Sequence, residues 1–526
     1  MPACTVLVCA MLACALPQGA RAQSQPSASA AAQVPALTPQ HWQQLARTDI
    51  LAIRRAIESA HPGAIDAENP RFRDWLSFGA ATALAQVDRV RSYDDMLSAV
   101  SFYAVGFQDG HLGYVDEARQ VAGEARRARS VVVNGWHASP RGQAIVVDAV
   151  APDWPVPLPP LGAALLSCDG RPTARLLDED IAPFTGAPHG AAGRVAHASR
   201  LMHPPFADQR WSRCRFGAQD RQLDLLQHWA EVPADLFRRL KQGGRRTAPP
   251  PENGIQRLPD GTLWIRTANF QPSPAQNAAL EQLLAALAAE PAAPRVVFDA
   301  RGNNGGNSGI GQRLFAAATG GLDIDPALLD GLPLTQAWWR VSDIAVASLA
   351  WRDAWFEKRG DEETRRLTRQ LLAAMKAAQA RGEDWVLQPG GAAPRIARDD
   401  PRARHAKLRR PVGSVALLTD EFCASACLDF ADLVRAVPGS IHLGRTTSAD
   451  TIYIDIGSVK LPSGNTLIVP LKVWRNRLRA NNEALVPDVP LTVDLSDDSA
   501  TREAVLAALA AAPGHRDIEA SGIGRQ

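Results

Sequence analysis

The sequence predicts a mixed α/β protein with a helical N-terminal part, a β-rich middle and a second half in which strands and helices alternate. Residues 40 to about 105 include "HWQQLARTDILAIRRAIESAHP" and "YDDMLSAVSFYAVGF". Their apolar residues recur at three- and four-residue steps, which is typical of amphipathic helices. From about residue 129 the pattern changes to short apolar runs between turns, such as "SVVVNGW" and "QAIVVDAVAP", which indicate strands.

The second half begins after the Pro-, Gly- and Arg-rich stretch "KQGGRRTAPPPENG" (241–254), which predicts a domain boundary. Beyond it, "TLWIRTANF", "PRVVFDA" and "SVALLTD" indicate strands. The segments "PAQNAALEQLLAALAAE", "IGQRLFAAAT" and "LDFADLVRAV" indicate helices. This alternation predicts a layered α/β structure with parallel strands.

Composition narrows the classes of function. The chain has 526 residues, of which 46% are hydrophobic and 21% charged, as in ordinary globular proteins. A formal net charge of +2 gives no reason to expect nucleic acid or an anionic membrane as a partner. We find neither a P-loop nor a dinucleotide-binding fingerprint and predict no cofactor.

The N-terminus predicts export. "VLVCAMLACAL" has the length of a signal-peptide apolar region, and "ARA" (Ala20–Ala22) before Gln23 resembles a cleavage site. We therefore expect a signal peptide over residues 1–22 and a flexible linker over 23–38, the alternative being a disordered Ala-rich leader. No later segment has the pattern of a membrane span.

Cleavage would leave Cys168, Cys214, Cys423 and Cys427. An even number of cysteines in an exported chain favours disulfides, with three possible connectivities. A zinc site is disfavoured, because "CASAC" lacks the C-x-x-C spacing and no histidine pair lies nearby. On a regular helix, residues four apart have Cβ atoms about 5–6 Å apart, which is too far for a disulfide. A Cys423–Cys427 bridge therefore requires Cys423 to lie on the turn before the helix.

Two segments of the second half carry candidate chemistry. Ser425 lies between an apolar strand and a helix, where the N–H of Ala426 and the helix N-terminus would favour developing negative charge. The alternative is an ordinary helix N-cap. "VVFDARGNNGG" (Val296–Gly306) ends a strand in a Gly-rich loop whose N–H groups could bind an oxyanion, a phosphate or a peptide backbone, or could simply form a tight turn.

Two further residues could support a nucleophilic serine. His111 directly follows the turn signal in "DGHLG" and could act as its base, although a lone histidine is more often structural. Glu483, in "NNEALVPDVPL", could orient that histidine, as the acid of a triad does, or be a surface glutamate.

These segments occur in the order "DGHLG" (109–113), "DARGNNGG" (299–306), "CASAC" (423–427) and "EALVPDV" (483–489). In that order they resemble the tail-specific (C-terminal processing) proteases and the tricorn-type serine peptidases. The resemblance extends over roughly residues 95–495 in ordered blocks.

The middle segment "VAPDWPVPLPPLGAALLSCDGRP" is similar to a PDZ signature, with Ala163 in place of the usual Asp and Cys168-Asp169-Gly170 closing the motif. The resemblance implies a crotonase-like (ClpP/crotonase) catalytic core, a PDZ-like β-rich module and an N-terminal helical region. We predict a Cys168–Cys214 disulfide within that module. The expected divisions are a signal peptide (1–22), a flexible linker (23–38), the helical region with the DGH turn (39–128), the PDZ-like module (129–240), the catalytic domain (255–512) and a C-terminal tail (513–526).

The resemblance also implies the roles of individual residues. Processing proteases use a Ser–Lys dyad, but the lysine position in "GRTTSAD" (444–450) corresponds to Ala449. The chain is therefore similar to the tricorn-like branch, in which Ser425 would be the nucleophile, His111 the base and Glu483 the orienting acid. Gly110 stands where that branch can carry a further serine. The oxyanion would meet N–H groups in the set Ala426, Gly305 and Gly306.

Three hypotheses follow. The first is an exported, periplasmic serine endopeptidase acting on protein or peptide substrates. The second is a catalytically inactive relative that binds peptides or apolar ligands. The third is another acyl-transfer enzyme on the crotonase-like fold. The sequence predicts no metal site and does not indicate an oligomeric state.

Overall fold

The computed structural model describes residues 38–116, 130–186, 190–243 and 252–511. The predicted signal peptide, the predicted linker apart from Thr38, and the predicted tail lie outside the described residues. So does most of the predicted boundary segment 241–254.

The N-terminal region is helical, as predicted. The Thr38 side chain accepts a hydrogen bond from the His41 N–H, and a proline follows at the first helical position, which together start the first helix. Ser92 and Asp95 form a capping box at the start of a later helix. Apolar side chains from these helices bury one continuous core. The helices are Pro39–Ala60, Pro70–Gln86 and Tyr93–Val105.

An antiparallel sheet packs against these helices, although strand–helix alternation predicted parallel strands throughout the second half. Thr466–Arg475 pairs with Tyr453–Lys460 through a short connection, which can join only antiparallel neighbours. Alternate residues of Thr466–Arg475 (Leu467, Val469, Leu471 and Val473) are fully buried in the core shared with the N-terminal helices. The sheet order is Gly113–Val115, Thr466–Arg475, Leu334–Arg340 and Trp385–Pro394, and the helices Asp343–Arg359 and Glu362–Ala380 contribute to the same core.

The middle of the chain forms a separate antiparallel sheet with its own core. Cys168 and Cys214 are register partners on neighbouring strands and form a disulfide, as predicted. The helix Ala191–Arg200 packs on the first strand of this sheet. The strands, in sheet order, are Trp136–Arg141, Ala144–Val150, Ala164–Cys168, Arg213–Ala218 and Arg221–Leu226. Ser130–Val133 pairs separately with Ala230–Pro233, which precedes the helix Ala234–Gln242. We call residues 130–243 the middle module.

The remaining sheet is largely parallel, which confirms a mixed α/β fold. One face packs on a core shared with several helices, and the C-terminal helix Asp498–Ala511 covers the other face. The strands, in sheet order, are Gly254–Arg257, Leu263–Arg266, Ala293–Asp299, Val412–Thr419, Ile441–Gly444 and Val489–Pro490, of which only the first is antiparallel to its neighbour. The helices on the first face are Pro274–Ala289, Ser308–Thr319 and Ala426–Arg435.

This topology determines where the candidate residues meet. Ala293–Asp299, Val412–Thr419 and Ile441–Gly444 are consecutive parallel strands, so their carboxyl ends lie at one edge of the sheet. The Gly-rich loop, the turn with Ser425 and the segment 445–450 leave the sheet at that edge. Ligands of open parallel sheets bind outside the carboxyl ends of the strands. In the part of the chain that the structure describes, no helix is both long and apolar enough to cross a bilayer.

Candidate active site

Ser425 lies at a strained strand-to-helix turn. Its backbone has φ 54° and ψ −122°, a conformation that costs a non-glycine residue free energy and that clusters at functional sites. The side chain makes no capping hydrogen bond to the helix Ala426–Arg435, so the N-cap alternative does not explain this serine. Ala426 is the first helical residue, and its N–H has no acceptor within the helix.

A disulfide spans the same turn. Cys423 and Cys427 are bonded, and Cys423 lies before the helix, as such a bridge requires. Both residues are fully buried. The bridge therefore constrains the backbone on both sides of Ser425.

The Gly-rich loop packs directly on this turn. A Cβ atom at Gly305 would lie 2.7 Å from the Ala424 carbonyl oxygen and 2.8 Å from the Ser425 Cβ. At Gly306 a Cβ would lie 2.3 Å from the Phe270 carbonyl oxygen. Both glycines also have positive φ, 99° and 132°. Only glycine allows this close approach of the two backbones.

Two buried polar side chains fix the loop, and one of them also ties it to the turn. Asn303 Oδ1 accepts the Gly305 N–H at 2.9 Å. Asp420 bridges both segments, because its carboxylate accepts the N–H of Gly302 at 2.8 Å and of Phe422 at 3.0 Å. Burial, and then the charge of the neighbouring Glu421, raise the pKa of Asp420 to about 6. Neither Asn303 nor Asp420 was among the residues that the sequence predicts as functional.

His111 is oriented by the backbone of the antiparallel sheet. Its Nδ1 lies 2.8 Å from the carbonyl oxygen of Tyr453. A carbonyl oxygen only accepts, so Nδ1 carries the proton and the neutral ring presents its lone pair at Nε2. The side chain of His111 is 14% exposed, which leaves the ring accessible from one side.

The turn that carries His111 is fixed by a buried pair in the N-terminal helical region. Asp109 Oδ1 accepts the His111 N–H at 2.9 Å, and Asp109 Oδ2 lies 2.8 Å from Nε2 of His61. His61 Nδ1 accepts the Gly63 N–H, so the proton of the neutral His61 ring lies on Nε2. The aspartate of the "DGH" motif thus positions the histidine backbone.

Asp450 is the carboxylate that the structure places beside His111. Its Oδ1 lies 3.8 Å from His111 Nδ1, and its side chain is 7% exposed. Arg477 and Arg479 pair with Asp450 Oδ2 at 3.2 and 3.4 Å. Arg479 also pairs with Asp432 on the helix that follows Ser425. This buried charge network joins the histidine to the serine-bearing helix.

Glu483 lies one strand away. It is the register partner of Asp450, but its side chain is exposed and its carboxylate accepts the Ala480 N–H at 2.6 Å. The adjoining Asn482 donates to the Gln108 carbonyl at 2.8 Å, next to the "DGH" turn. The structure therefore brings the Glu483 segment to the histidine turn, while the carboxylate itself is engaged in its own turn.

The segment 447–450 connects the serine and histidine turns. The Ser448 N–H donates to the Cys423 carbonyl at 3.1 Å, and Asp450 lies beside His111. Two residues of extended chain span at most about 7 Å. The two predicted turns, which are more than 300 residues apart in sequence, therefore lie in one region. Among the described residues, no group of three or more metal-ligating side chains is found.

No protein-family model and no curated protein sequence matches this chain. Among solved structures, mature CPAF aligns over 86% of this chain and 93% of its own, with 12% sequence identity and a TM-score of 0.54. The chain has the fold of CPAF. The structure of mature CPAF complexed with lactacystin covers 86% of this chain and 94% of its own, with 12% identity and a TM-score of 0.52. The photosystem II D1 C-terminal processing protease matches at 14% identity and a TM-score of 0.34, over 85% of this chain and 93% of its own.

Proposed function

We propose that this protein is an exported serine peptidase that cleaves peptide bonds through an acyl-enzyme on Ser425. The observation that carries the proposal is the strained backbone of Ser425, at a turn on which the Gly-rich loop packs directly. The motif resemblance supports the reaction class. The two disulfides support an oxidising compartment, such as the periplasm.

In the proposed reaction, His111 Nε2 takes the proton of the Ser425 hydroxyl as its oxygen attacks the peptide carbonyl. The tetrahedral intermediate collapses, the C–N bond breaks, and His111 returns the proton to the leaving amine. Water then attacks the acyl-enzyme by the same route, releasing the acid and restoring Ser425.

The oxyanion would be stabilised by backbone N–H groups at the serine turn. Ala426 supplies one, because the first helical N–H has no intrahelical acceptor. The Gly305 N–H already donates to Asn303 Oδ1, so we assign the loop's donor to the oxyanion to the Gly306 N–H. The strained turn and the packed glycines would hold these donors in place before substrate binds.

The histidine is oriented chiefly by the Tyr453 carbonyl in this proposal, with Asp450 supplying a negative charge 3.8 Å from Nδ1. Glu483 remains the acid that the family resemblance implies, and the variants Asp450→Asn and Glu483→Gln separate the roles of the two carboxylates. The middle module would act as a PDZ-like domain that adds a peptide strand to its sheet and delivers it to a crotonase-like core.

Labelling with a fluorophosphonate, followed by peptide mapping, tests the nucleophile. We expect the tryptic peptide that contains Ser425 to be labelled in the wild-type protein and unlabelled in Ser425→Ala. Ser458→Ala, which removes an exposed serine from the antiparallel sheet, is the matched control and should label as wild type. Preincubation with lactacystin, which was solved bound to mature CPAF, should slow the labelling if the sites are alike.

A folded wild-type protein whose Ser425 peptide stays unlabelled would overturn the peptidase proposal. It would favour the inactive, ligand-binding relative instead. Hydrolysis of casein by the wild type that persists at full rate in Ser425→Ala would place the activity elsewhere.

A further inference from the structure

A cavity lies between the middle module and the turn that carries Ser425. It has a volume of about 390 Å³, within the usual range for small-molecule sites. Phe422 and Ala424 form part of one wall, and Val195 and Ala196 form part of the opposite wall. The polar side chains of His137, Asp148 and Ser199 also line it.

These three polar side chains form a continuous hydrogen-bonded relay. His137 Nδ1 lies 2.6 Å from Asp148 Oδ1, and His137 Nε2 lies 3.1 Å from Ser199 Oγ. His137 and Asp148 have side-chain exposures of only 7% and 11%. The strands Trp136–Arg141 and Ala144–Val150 supply the histidine and the aspartate, and the last turn of the helix Ala191–Arg200 supplies the serine.

The geometry determines which group donates and which accepts in each hydrogen bond of the relay. An ionised Asp148 only accepts, so His137 Nδ1 donates to it and the neutral ring accepts at Nε2. The donor to Nε2 is then the Ser199 hydroxyl. A serine whose proton is directed to a histidine, which a buried carboxylate orients in turn, meets the geometric requirement for an activated nucleophile.

We propose that Ser199 is a second nucleophilic serine and that it hydrolyses short-chain acyl esters. The cavity wall favours this class, because Val195, Ala196, Phe422 and Ala424 offer an apolar surface to a short acyl chain. Asn304 lines the same cavity and carries side-chain N–H donors for a developing oxyanion.

The proposed step balances with water as the only co-reactant. Ser199 Oγ forms a bond to the acyl carbon while its proton passes to His137 Nε2. The ester C–O bond breaks, and the alkoxide takes that proton and leaves as the alcohol. Water then attacks the acyl group, gives a proton to His137 and releases the carboxylic acid, and the proton returns to Ser199.

The test uses the full-length Ser425→Ala protein, so that Ser425 contributes nothing. We expect it to hydrolyse p-nitrophenyl butyrate and to carry fluorophosphonate on the peptide containing Ser199. Adding Ser199→Ala should abolish both signals. Adding His137→Gln should slow labelling by at least about 100-fold, as expected for loss of a general base.

Ser212→Ala is the matched control, because Ser212 is an exposed serine of the same module that does not line the cavity. It should leave the labelling and the ester hydrolysis of Ser425→Ala unchanged. The proposal is overturned if the Ser199 peptide stays unlabelled, or if Ser425→Ala hydrolyses the ester equally fast with and without Ser199. Neither result bears on Ser425, whose peptide is mapped separately in the wild type.

Discussion

The Nδ1 atom of His111 lies 2.8 Å from the carbonyl oxygen of Tyr453. This contact fixes the tautomer of the proposed base, a task that a carboxylate performs in the familiar serine triad. Asp450 lies 3.8 Å from the same nitrogen, whereas the Glu483 carboxylate is bonded to the Ala480 N–H. The Tyr453 carbonyl thus orients the imidazole ring, and the Asp450 carboxylate acts on it chiefly through its negative charge.

Asp450→Asn should therefore lower kcat by more than Glu483→Gln does. We expect a loss of about tenfold, equivalent to ~1.4 kcal/mol of transition-state stabilisation. Steady-state measurements of kcat and kcat/KM for both variants test this, and a larger loss in Glu483→Gln would assign the acid to Glu483.

Gly305→Ala should lower the activity through steric pressure on the serine turn. The added Cβ would lie 2.7 Å from the Ala424 carbonyl oxygen, and φ at this position is 99°. We expect kcat to fall at least about tenfold, because small misplacements of catalytic groups have large effects on rate. Gly254→Ala is the matched control, because a Cβ there meets nothing within 4 Å. Equal activity of the two variants would contradict the proposed packing.

We expect the Cys168–Cys214 disulfide to matter more for stability and the Cys423–Cys427 disulfide to matter more for activity. In the chain-entropy model, the bond spanning 46 residues, Cys168–Cys214, contributes about 4 kcal/mol and the bond spanning 4 residues, Cys423–Cys427, about 2 kcal/mol. Removing the first pair by Ser substitution should lower the unfolding free energy more. Removing the second should lower kcat more, because its cysteines flank Ser425.

Denaturant unfolding and steady-state kinetics on the two double variants measure these effects. Wild-type kcat in the Cys423→Ser/Cys427→Ser protein would show that the bridge does not position the serine.

Asp420 should make stability fall as the pH rises from about 4 to about 6. Its pKa is raised from 3.8 to about 6, so the folded state binds the proton more tightly than the unfolded state does. The favourable contribution is complete below the unfolded pKa and is lost as the pH rises through the folded pKa, on the order of 3 kcal/mol in total. Asp420→Asn should flatten this slope, as measured by denaturant unfolding across the range.

Asp400→Asn is the control for that slope. The side-chain hydrogen bond from Arg402 lowers the pKa of Asp400 to about 2. Any contribution of Asp400 to the pH dependence of stability therefore lies below pH 4. This variant should leave the slope between pH 4 and 6 as in the wild type. An equal slope in Asp420→Asn and the wild type would show that Asp420 does not titrate in this window.

Local sequence pattern determined much of the fold and several parts of the candidate site. Apolar periodicity predicted the N-terminal helices, and strand–helix alternation predicted the parallel sheet. Each of these two patterns is formed by residues close in sequence, so it can be recognised without the tertiary structure. The turn with Ser425 and the Gly-rich loop were predictable because strand ends, small residues and helix starts are local features. The even cysteine count favoured disulfides, and the resemblance to a PDZ-like module led to the Cys168–Cys214 pair. A Cys423–Cys427 bridge stayed open, because it depended on whether Cys423 lies before the helix, as the structure shows.

Only the tertiary structure decided which side chains meet. The antiparallel sheet joins Gly113–Val115 to Thr466–Arg475, a pairing across more than 300 residues that no local pattern encodes. That pairing brings His111 to the Tyr453 carbonyl. Asp450 was not predicted as a site residue, although it ends the segment "GRTTSAD" (444–450), because its proximity to His111 depends on packing between distant elements. Sequence thus determined the chemistry available at each turn, and long-range packing decided which acceptor and which carboxylate His111 contacts.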